Sequence, residues 1–316
     1  MVHHWDSDGV ASAAIVSKVH SNVVFCVPRI GLFSGDAIPL LKGCDAVLLL
    51  DYGISVDEIE ALEGRLGVSI AVVDHHVNGV REKLFCNPVA LGGSEEEWPS
   101  TTWVMRQLLG LKGFDDLVAL GLVGDLGLRV AGFLNELDAG LGLEELLLAA
   151  SLVDSCYRAV DYEGIAHARQ ILSEGGVRAV LRDSRLRDTL EEVEREFSAI
   201  LGTLEPEVRS SVVVYRVVTD CYLTSQIGRE LAARHPESIV VLVSRVRRLG
   251  SAYIYVRSRR FSLRRVLERV HLALRAGGKD KVFVVPCRSD CEEELAVLLP
   301  LLSERCEELG GVGSYQ

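Results

Sequence analysis

The chain has 316 residues, which is too long for one ordinary hydrophobic core and suits two domains. Its hydrophobic content of 48% excludes a disordered chain, and with only 6% aromatic residues the packing depends on aliphatic side chains. The formal net charge of −11 repels a phosphate backbone, so high-affinity binding of long duplex DNA is not expected.

The eight cysteines include no CxxC pair, and the nearest two are Cys287 and Cys291. This spacing predicts free thiols, buried for Cys26, Cys44 and Cys221, rather than a disulfide framework or a zinc site. We find no signal peptide and expect no apolar run long enough to cross a bilayer. The expected location is the cytoplasm, with no membrane partner.

The first half of the chain alternates between short apolar runs and helix-like segments. Residues 22–28, 46–51 and 69–74 have the β-rich, non-alternating composition of parallel strands buried on both faces. Residues 56–67 have helical spacing and end in glycine. This order predicts an α/β domain with a doubly wound parallel sheet, in which function gathers at the carboxyl ends of the strands.

Helices are predicted at 101–110 and 115–123, and a mainly helical stretch follows from 143 to about 204. A second β-rich region begins near residue 210, with helices at 262–274 and 291–309. We therefore divide the chain into a catalytic domain, a helical connector and a smaller α/β domain with a mixed sheet, at residues 1–150, 151–205 and 206–316.

Four polar clusters stand beside the predicted elements: His4-Trp5-Asp6-Ser7-Asp8-Gly9, Asp51-Tyr52-Gly53, Asp74-His75-His76 and Gly124-Asp125-Leu126-Gly127. Taken singly, each has an ordinary explanation as a helix cap, a strand end or a turn. Together, at the ends of elements of one sheet, they indicate a metal centre. Clustered carboxylates repel each other unless cations offset their charge, and mixed His/Asp ligation suits Mn²⁺, Mg²⁺ or Zn²⁺.

These motifs, in this order, resemble those of the DHH phosphoesterase superfamily, which includes the RecJ exonucleases, the nanoRNase/pAp phosphatases and the family II inorganic pyrophosphatases. The triplet Asp74-His75-His76 follows SIAVV, with HWDSDG and LLLDYG upstream. Asn87-Pro88 and Ser100-Thr101-Thr102 stand where the family has an NP turn and a small polar helix start.

The resemblance implies two Mn²⁺ or Mg²⁺ ions per site and a role for each polar side chain. One ion would be held by His4 and Asp6 and the other by Asp8, His75 and Asp125, with Asp51 bridging them. His76 would face the substrate phosphate or polarise the leaving oxygen. Asp74 would orient a histidine through its ring N–H.

The C-terminal region resembles the DHH-associated domain in three segments, Thr224-Ser225-Gln226-Ile227, Val256-Arg257-Ser258-Arg259-Arg260 and Gly277-Gly278-Lys279. In that family an Arg/Ser strand and a Gly-Gly-His loop hold the substrate phosphate. Lysine stands here in place of the histidine and can hold phosphate as a point charge. The expected substrate-binding residues are Arg257, Ser258, Gly277, Gly278 and Lys279, and strand alternation places Arg257 and Arg259 on one face.

The leading hypothesis is a metal-dependent phosphodiesterase that degrades single-stranded or short nucleic acid from an end. One alternative is a phosphatase for a small nucleotide such as pAp, or for pyrophosphate. Another is a non-catalytic, RecJ-related scaffold that works with replication or repair proteins. The complete set of metal ligands favours an active enzyme over the scaffold.

Overall fold

The structure is a computed structural model that describes residues 1–32, 34–39, 41, 43–77, 84–287 and 290–310. The chain divides into two compact units, Met1–Glu191 and Glu192–Gln316. Each unit has its own sheet and is described by itself. The predicted boundaries at residues 150 and 205 differ from this division and stay a prediction.

The N-terminal unit contains a four-stranded parallel sheet in the order β1-β2-β3-β4. Its strands are β1 (Val2–His3), β2 (Ala46–Leu50), β3 (Ser69–Val73) and β4 (Phe85–Cys86). Its helices are α1 (Ser7–Val19), α2 (Val56–Leu66), α3 (Thr101–Leu108), α4 (Asp115–Leu126), α5 (Ala131–Leu134), α6 (Leu143–Arg158) and α7 (Tyr162–Val180), with 3₁₀ turns at Gly35–Ala37 and Gly127–Val130.

Helix α2 shows how local sequence sets these bounds. Ser55 caps its first turn, and the Glu58 side chain returns a bond to the backbone N–H of Ser55. Gly67 ends the helix in the left-handed conformation, where a glycine carries no steric penalty. Ile59 and Leu62 are buried. The predicted helix is therefore confirmed at both ends.

The strand predicted at 22–28 is wrong, because only Cys26 forms an isolated parallel bridge, to Val2. The neighbouring strand β1 has two residues, so no longer ladder can form beside it. The bridge still lies on the side of β1 opposite β2. The connections through α1 and α2 therefore run in opposite directions along the sheet, and because such crossovers are right-handed, α1 and α2 are expected on opposite faces, as in a doubly wound fold.

The stretch Asp115–Leu134 is long and apolar enough to cross a membrane by length and composition alone, contrary to our expectation of no such run. It includes α4 and α5, joined by the 3₁₀ turn. Of its most apolar window, 44% is buried inside the unit. Helix α4 packs against α1, α3, α6 and α7, which explains its apolar composition as that of a core helix.

The C-terminal unit has a six-stranded mixed sheet in the order β5-β6-β7-β8-β10-β9. Only β6 and β7 are parallel neighbours among these strands. The strands are β5 (Glu207–Arg209), β6 (Val212–Thr219), β7 (Ile239–Val246), β8 (Ser251–Ser258), β9 (Gly277–Lys279) and β10 (Val282–Cys287). The helices are α8 (Ser184–Thr203), which crosses the boundary between the units, α9 (Thr224–Arg234), α10 (Arg264–Leu274) and α11 (Glu292–Gly310).

One face of this sheet forms the core of the unit. Residues Val241, Ile254 and Phe283 lie on it and pack with Val266 of α10 and Leu298 of α11. The other face is covered in part by α9, which contacts β7 and β8. The predicted strands and helices of this region are confirmed, and so is the mixed sheet.

The cysteine prediction is wrong for one pair, because Cys287 and Cys291 form a disulfide. Cys287 ends β10 and Cys291 directly precedes α11, and their Cα atoms lie 5.0 Å apart, within the range of a disulfide. Sequence spacing alone does not show this approach. The free thiols predicted at Cys26, Cys44 and Cys221 are confirmed, although only Cys221 is buried.

Candidate metal centre

Strand register brings four chain segments to one edge of the N-terminal sheet. His3, Leu50, Val73 and Cys86 are cross-strand neighbours in a single row. The residues that follow them are His4, Asp51, Asp74 and Asn87. Because parallel strands end at the same edge, these polar side chains lie together at what we call the carboxyl edge.

The first cluster at the carboxyl edge contains His4, Asp6 and Asp51. His4 Nδ1 lies 2.8 Å from Asp6 Oδ2 and 3.8 Å from Asp51 Oδ2. Asp6 also caps α1 by accepting a hydrogen bond from the Gly9 N–H. A Cβ atom at Gly9 would come within 2.6 Å of His4 Cβ and the His4 carbonyl oxygen, so the turn that brings His4 back over α1 requires glycine.

The second cluster contains Asp8, His75 and Asp125, whose ligand atoms all lie within 4.8 Å of one another. His75 Nε2 is 3.6 Å from Asp125 Oδ2 and 3.4 Å from Asp51 Oδ1. Asp125 comes from the last turn of α4 rather than from a loop after a strand. It reaches the carboxyl edge because α4 packs directly against α1.

Asp51 joins the two clusters with its two carboxylate oxygens. Oδ2 faces His4 and Oδ1 faces His75. The residue is only 2% exposed, and its φ of 55° lies in the left-handed region that non-glycine residues rarely adopt. The structure thus brings together all six side chains that the sequence singled out as metal ligands. We call His4, Asp6, Asp8, Asp51, His75 and Asp125 the His/Asp centre.

The environment of the His/Asp centre shifts the pKa values of its carboxylates. Burial, followed by repulsion from Asp8, Asp6 and Asp125, raises the pKa of Asp51 well above its usual range. Burial also raises the pKa of Asp8 to about 6. Burial acts on Asp6 in the same direction, but its contact with His4 outweighs this and lowers the Asp6 pKa. Divalent cations would offset the repulsion between these buried carboxylates. The imidazole and carboxylate donors suit Mn²⁺ or Mg²⁺.

Asp74 and His76 form a hydrogen-bonded pair beside the centre, and a His76 ring nitrogen also lies within 4.8 Å of ligand atoms of Asp51 and His75. Asp74 Oδ1 is 2.8 Å from His76 Nδ1, and Asp74 also accepts the His75 backbone N–H. Burial alone would raise the Asp74 pKa, but the attraction to the nearby His76 is stronger, so the net effect is a lowered Asp74 pKa. An ionised Asp74 accepts a hydrogen bond from the His76 Nδ1–H, which leaves Nε2 available to another partner. The His76 side chain is 44% exposed.

Two neighbours fix the position of His76. A Cβ atom at Gly53 would lie 3.1 Å from the His76 ring, so glycine leaves room for the imidazole. The Asn87 side chain donates a hydrogen bond to the His76 carbonyl and accepts one from the Ala90 N–H. The NP turn of the sequence therefore holds the second histidine of the triplet.

The start of α3 binds the Asp8 carboxylate. This role was not predicted from the sequence. Asp8 accepts the backbone N–H groups of Thr101 and Thr102 at 2.6 and 3.1 Å, and the Thr102 hydroxyl at 2.7 Å. The Thr101 hydroxyl donates to Asp51 Oδ1. The small polar triplet that begins at Ser100 was the available signal, because the start of a helix offers unpaired N–H groups to a carboxylate.

Two glycines of α4 allow this close packing. A Cβ atom at Gly121 would come within 2.2 Å of both Asp8 Oδ1 and Thr102 Oγ1, and one at Gly124 within 2.1 Å of Ser7 Oγ. Gly124 stands in one of the four polar clusters of the sequence, whereas Gly121 was not predicted to have a role. Two glycines three residues apart inside one helix were the available signal. Glycine weakens a helix, so such a pair indicates that close packing requires it.

In the C-terminal unit, Arg257 and Lys279 lie in one row of the sheet. Both are cross-strand partners of Val282, so they share a face and are separated by two strand spacings, roughly 10 Å. The Arg257 guanidinium donates to the Tyr255 hydroxyl at 3.0 Å. We call Arg257 and Lys279 the Arg/Lys row.

The other predicted residues of this unit have different surroundings. Ser258 is 1% exposed, and its hydroxyl donates to the Ser238 carbonyl and accepts the Phe261 N–H. Strand β8 ends at Ser258, so Arg259 is not placed by the strand alternation that was expected to align it with Arg257. Gly278 packs so tightly that a Cβ atom would lie 2.5 Å from Phe283 Cα, whereas Gly277 has open space.

No protein-family model matches the sequence, and no curated protein is significantly similar to it. Solved structures do match. RecJ from Thermus thermophilus in complex with Mn²⁺ is 20% identical, with a TM-score of 0.64 over 98% of this chain. This chain spans about half (51%) of that protein. Exonuclease RecJ bound to manganese is 18% identical, with a TM-score of 0.59 over all of this chain and 90% of its own.

A third match is a pGpG-specific phosphodiesterase from Vibrio cholerae, at 12% identity and a TM-score of 0.50. It covers 96% of this chain and 98% of its own. At such identities the likeness concerns the fold. It shows that the chain has the α/β fold of the RecJ structures.

Proposed function

We propose that the chain is a divalent-metal-dependent phosphoesterase that hydrolyses phosphodiester bonds of single-stranded or short nucleic acid. One observation carries the proposal: the two oxygens of Asp51 face two separate His/Asp clusters. A buried carboxylate with this placement is suited to bridge a pair of cations. Similarity to RecJ structures that contain Mn²⁺ supports the same choice of metal.

The His/Asp centre supplies ligands for two ions. His4 and Asp6 would hold one, Asp8, His75 and Asp125 the other, and Asp51 both. When bound, such ions neutralise phosphate charge and activate water for in-line attack. The chain's own part is to keep these ligands fixed, and the hydrogen bonds from Thr101 and Thr102 hold Asp8 for this purpose.

His76 would contact the substrate. Its Nδ1 is held by Asp74, so Nε2 is directed away from the carboxylate and can donate a hydrogen bond to a phosphate or leaving-group oxygen. The Asp74 carboxylate would stabilise the protonated ring. His76 would thereby act as an electrostatic or general-acid partner of the reaction.

The Arg/Lys row would hold a second substrate phosphate or a terminal nucleotide. Arg257 is oriented by Tyr255, and Lys279 adds a point charge in the same row. With a net charge of −11, the chain as a whole repels long polyanions, which favours a short or single-stranded substrate. Similarity in fold to a pGpG-specific phosphodiesterase supports the same size of substrate.

A substrate panel with purified protein and Mn²⁺ tests the proposal. We expect release of mononucleotides from end-labelled short single strands and loss of that activity in Asp51→Ala. Faster hydrolysis of pAp or pyrophosphate than of any oligonucleotide would replace the diesterase with a small-molecule phosphatase. No hydrolysis of any phosphoester by the wild-type protein would refute the proposal.

A further inference from the structure

A hydrogen bond connects the segment that carries Asp6 and Asp8 to α6. The Ser7 N–H, between the two aspartates, donates to Asp154 Oδ1 at 2.9 Å. Ser7 is 1% exposed, so water cannot replace this acceptor without rearrangement. The bond spans 147 residues of sequence, and its acceptor Asp154 belongs to none of the four motifs.

The Asp154 carboxylate is itself fixed in place. Its Oδ2 accepts a hydrogen bond from Arg158 at 3.0 Å, one helical turn further along α6. Only 14% of the Asp154 side chain and 17% of the Arg158 side chain are exposed. A buried pair of this kind is costly unless both partners remain, so the carboxylate is not free to swing away from Ser7.

The same segment is confined on its other sides. Gly124 of α4 packs against the Ser7 hydroxyl, and the start of α3 binds the Asp8 carboxylate. Asp6 is the N-cap of α1 and Asp8 lies in the first turn. Asp154 thus accepts the backbone N–H that lies between the two aspartates, at the first residue of α1, where the helix itself offers no acceptor.

From these contacts we infer that Asp154 is a positioning residue of the metal centre, which sets the ligand geometry of Asp6 and Asp8 through the Ser7 backbone. The inference rests on the proposed function, because it requires that these aspartates bind metal. Losing a group that orients metal ligands weakens metal affinity by about 10- to 100-fold. Asp154 should belong to this class although it touches no ion.

The test measures Mn²⁺ affinity and turnover in Asp154→Asn and Asp154→Ala. Asp154→Asn keeps an oxygen that can accept the Ser7 N–H and nearly the same side-chain shape, so this variant should fold. Asp154→Ala removes the acceptor. The matched control is Asp116→Asn, because Asp116 also accepts a backbone N–H, from Val177, within the same unit. Free Mn²⁺ is followed by electron paramagnetic resonance, and folding by thermal melting.

We expect Mn²⁺ affinity to fall about tenfold or more in Asp154→Ala, less in Asp154→Asn, and not at all in Asp116→Asn. Excess Mn²⁺ should restore turnover of Asp154→Asn, which a purely structural defect would not allow. Wild-type Mn²⁺ affinity in folded Asp154→Asn and Asp154→Ala would overturn the inference and leave the proposed function standing. A wild-type protein that binds no Mn²⁺ would overturn both.

Discussion

The His/Asp centre and the Arg/Lys row are built by opposite means. The ligands of the centre come from three strand ends and two helices, and their positions depend on buried hydrogen bonds and on glycines that permit no side chain. Arg257 and Lys279 extend from β8 and β9, which lie on either side of β10 near the edge of a sheet, and the Arg257 guanidinium donates a hydrogen bond to the Tyr255 hydroxyl. We therefore expect a substitution in the His/Asp centre to disturb several neighbouring ligands, whereas a substitution in the Arg/Lys row should affect one residue at a time.

This contrast predicts that Asp51 carries the largest effect. Asp51→Asn keeps the volume of the side chain but removes the charge that faces both clusters. We expect turnover to fall on the order of 1,000-fold or more, because an electrostatic group at the reacting centre is lost. Initial rates with a short oligonucleotide measure the effect, and unchanged thermal melting shows that the variant is folded.

A glycine exchange tests how tightly the centre is interlocked. Ala at Gly121 would place a methyl group 2.2 Å from Asp8 Oδ1, so the free energy of unfolding should drop by about 1–3 kcal/mol and turnover should fall with it. Gly64 is the control, since it lies inside α2 and its Cβ would meet nothing within 4 Å. Gly64→Ala should raise the free energy of unfolding by about 0.5–1 kcal/mol.

The pH dependence of metal binding tests the electrostatics of the centre. Burial raises the pKa of Asp8 to about 6, above its usual value of 3.8. Metal must displace protons from Asp8 and from Asp51, whose pKa is also raised, so Mn²⁺ affinity should rise by about tenfold or more per pH unit below about pH 6. An affinity that is constant between pH 5 and 7 would contradict this account.

The same pKa shift makes a prediction for the metal-free protein. A carboxyl group with a raised pKa in the folded state contributes stability at low pH, and this contribution is lost as pH rises through about 6. Protein treated with a chelator should therefore lose part of its stability between pH 5 and 7. Mn²⁺ should raise the melting temperature more at pH 7 than at pH 5.

The smallest effects are expected in the Arg/Lys row. Arg257→Ala and Lys279→Ala should raise KM by roughly tenfold each while kcat changes little, because they remove binding that is shared by substrate and transition state. Arg245→Ala is a control for net charge, since Arg245 is exposed and pairs with Ala252 on the core-facing side of β8. A large fall in kcat for Arg257→Ala would place this row in the chemistry instead.

Much of the fold and of the centre could be predicted because one physical rule connects them. Asp51 and Asp74 each follow a buried apolar run, and parallel strands end at one edge. Asp154 could not be predicted, because it lies on an ordinary helix with no motif around it. The contact between Asp154 and Ser7 exists only once α6 has packed beside α1.

Other features depend on pairing that the sequence does not display. The run at 22–28 has strand composition, but its partner β1 is two residues long, so only Cys26 bridges. Cys287 and Cys291 are bonded because the end of β10 and the start of α11 bring their Cα atoms to 5.0 Å, a distance that sequence spacing does not show. Composition thus predicts what a segment can form, and its neighbours decide what it does form.

The most direct test is a count of manganese ions in wild-type protein and in Asp51→Ala. We predict two Mn²⁺ ions per wild-type chain, with the paramagnetic coupling of a bridged pair, and loss of that coupling in the variant. A wild-type protein that stays free of manganese at saturating concentration, or an Asp51→Ala protein that keeps a coupled pair, would contradict the account.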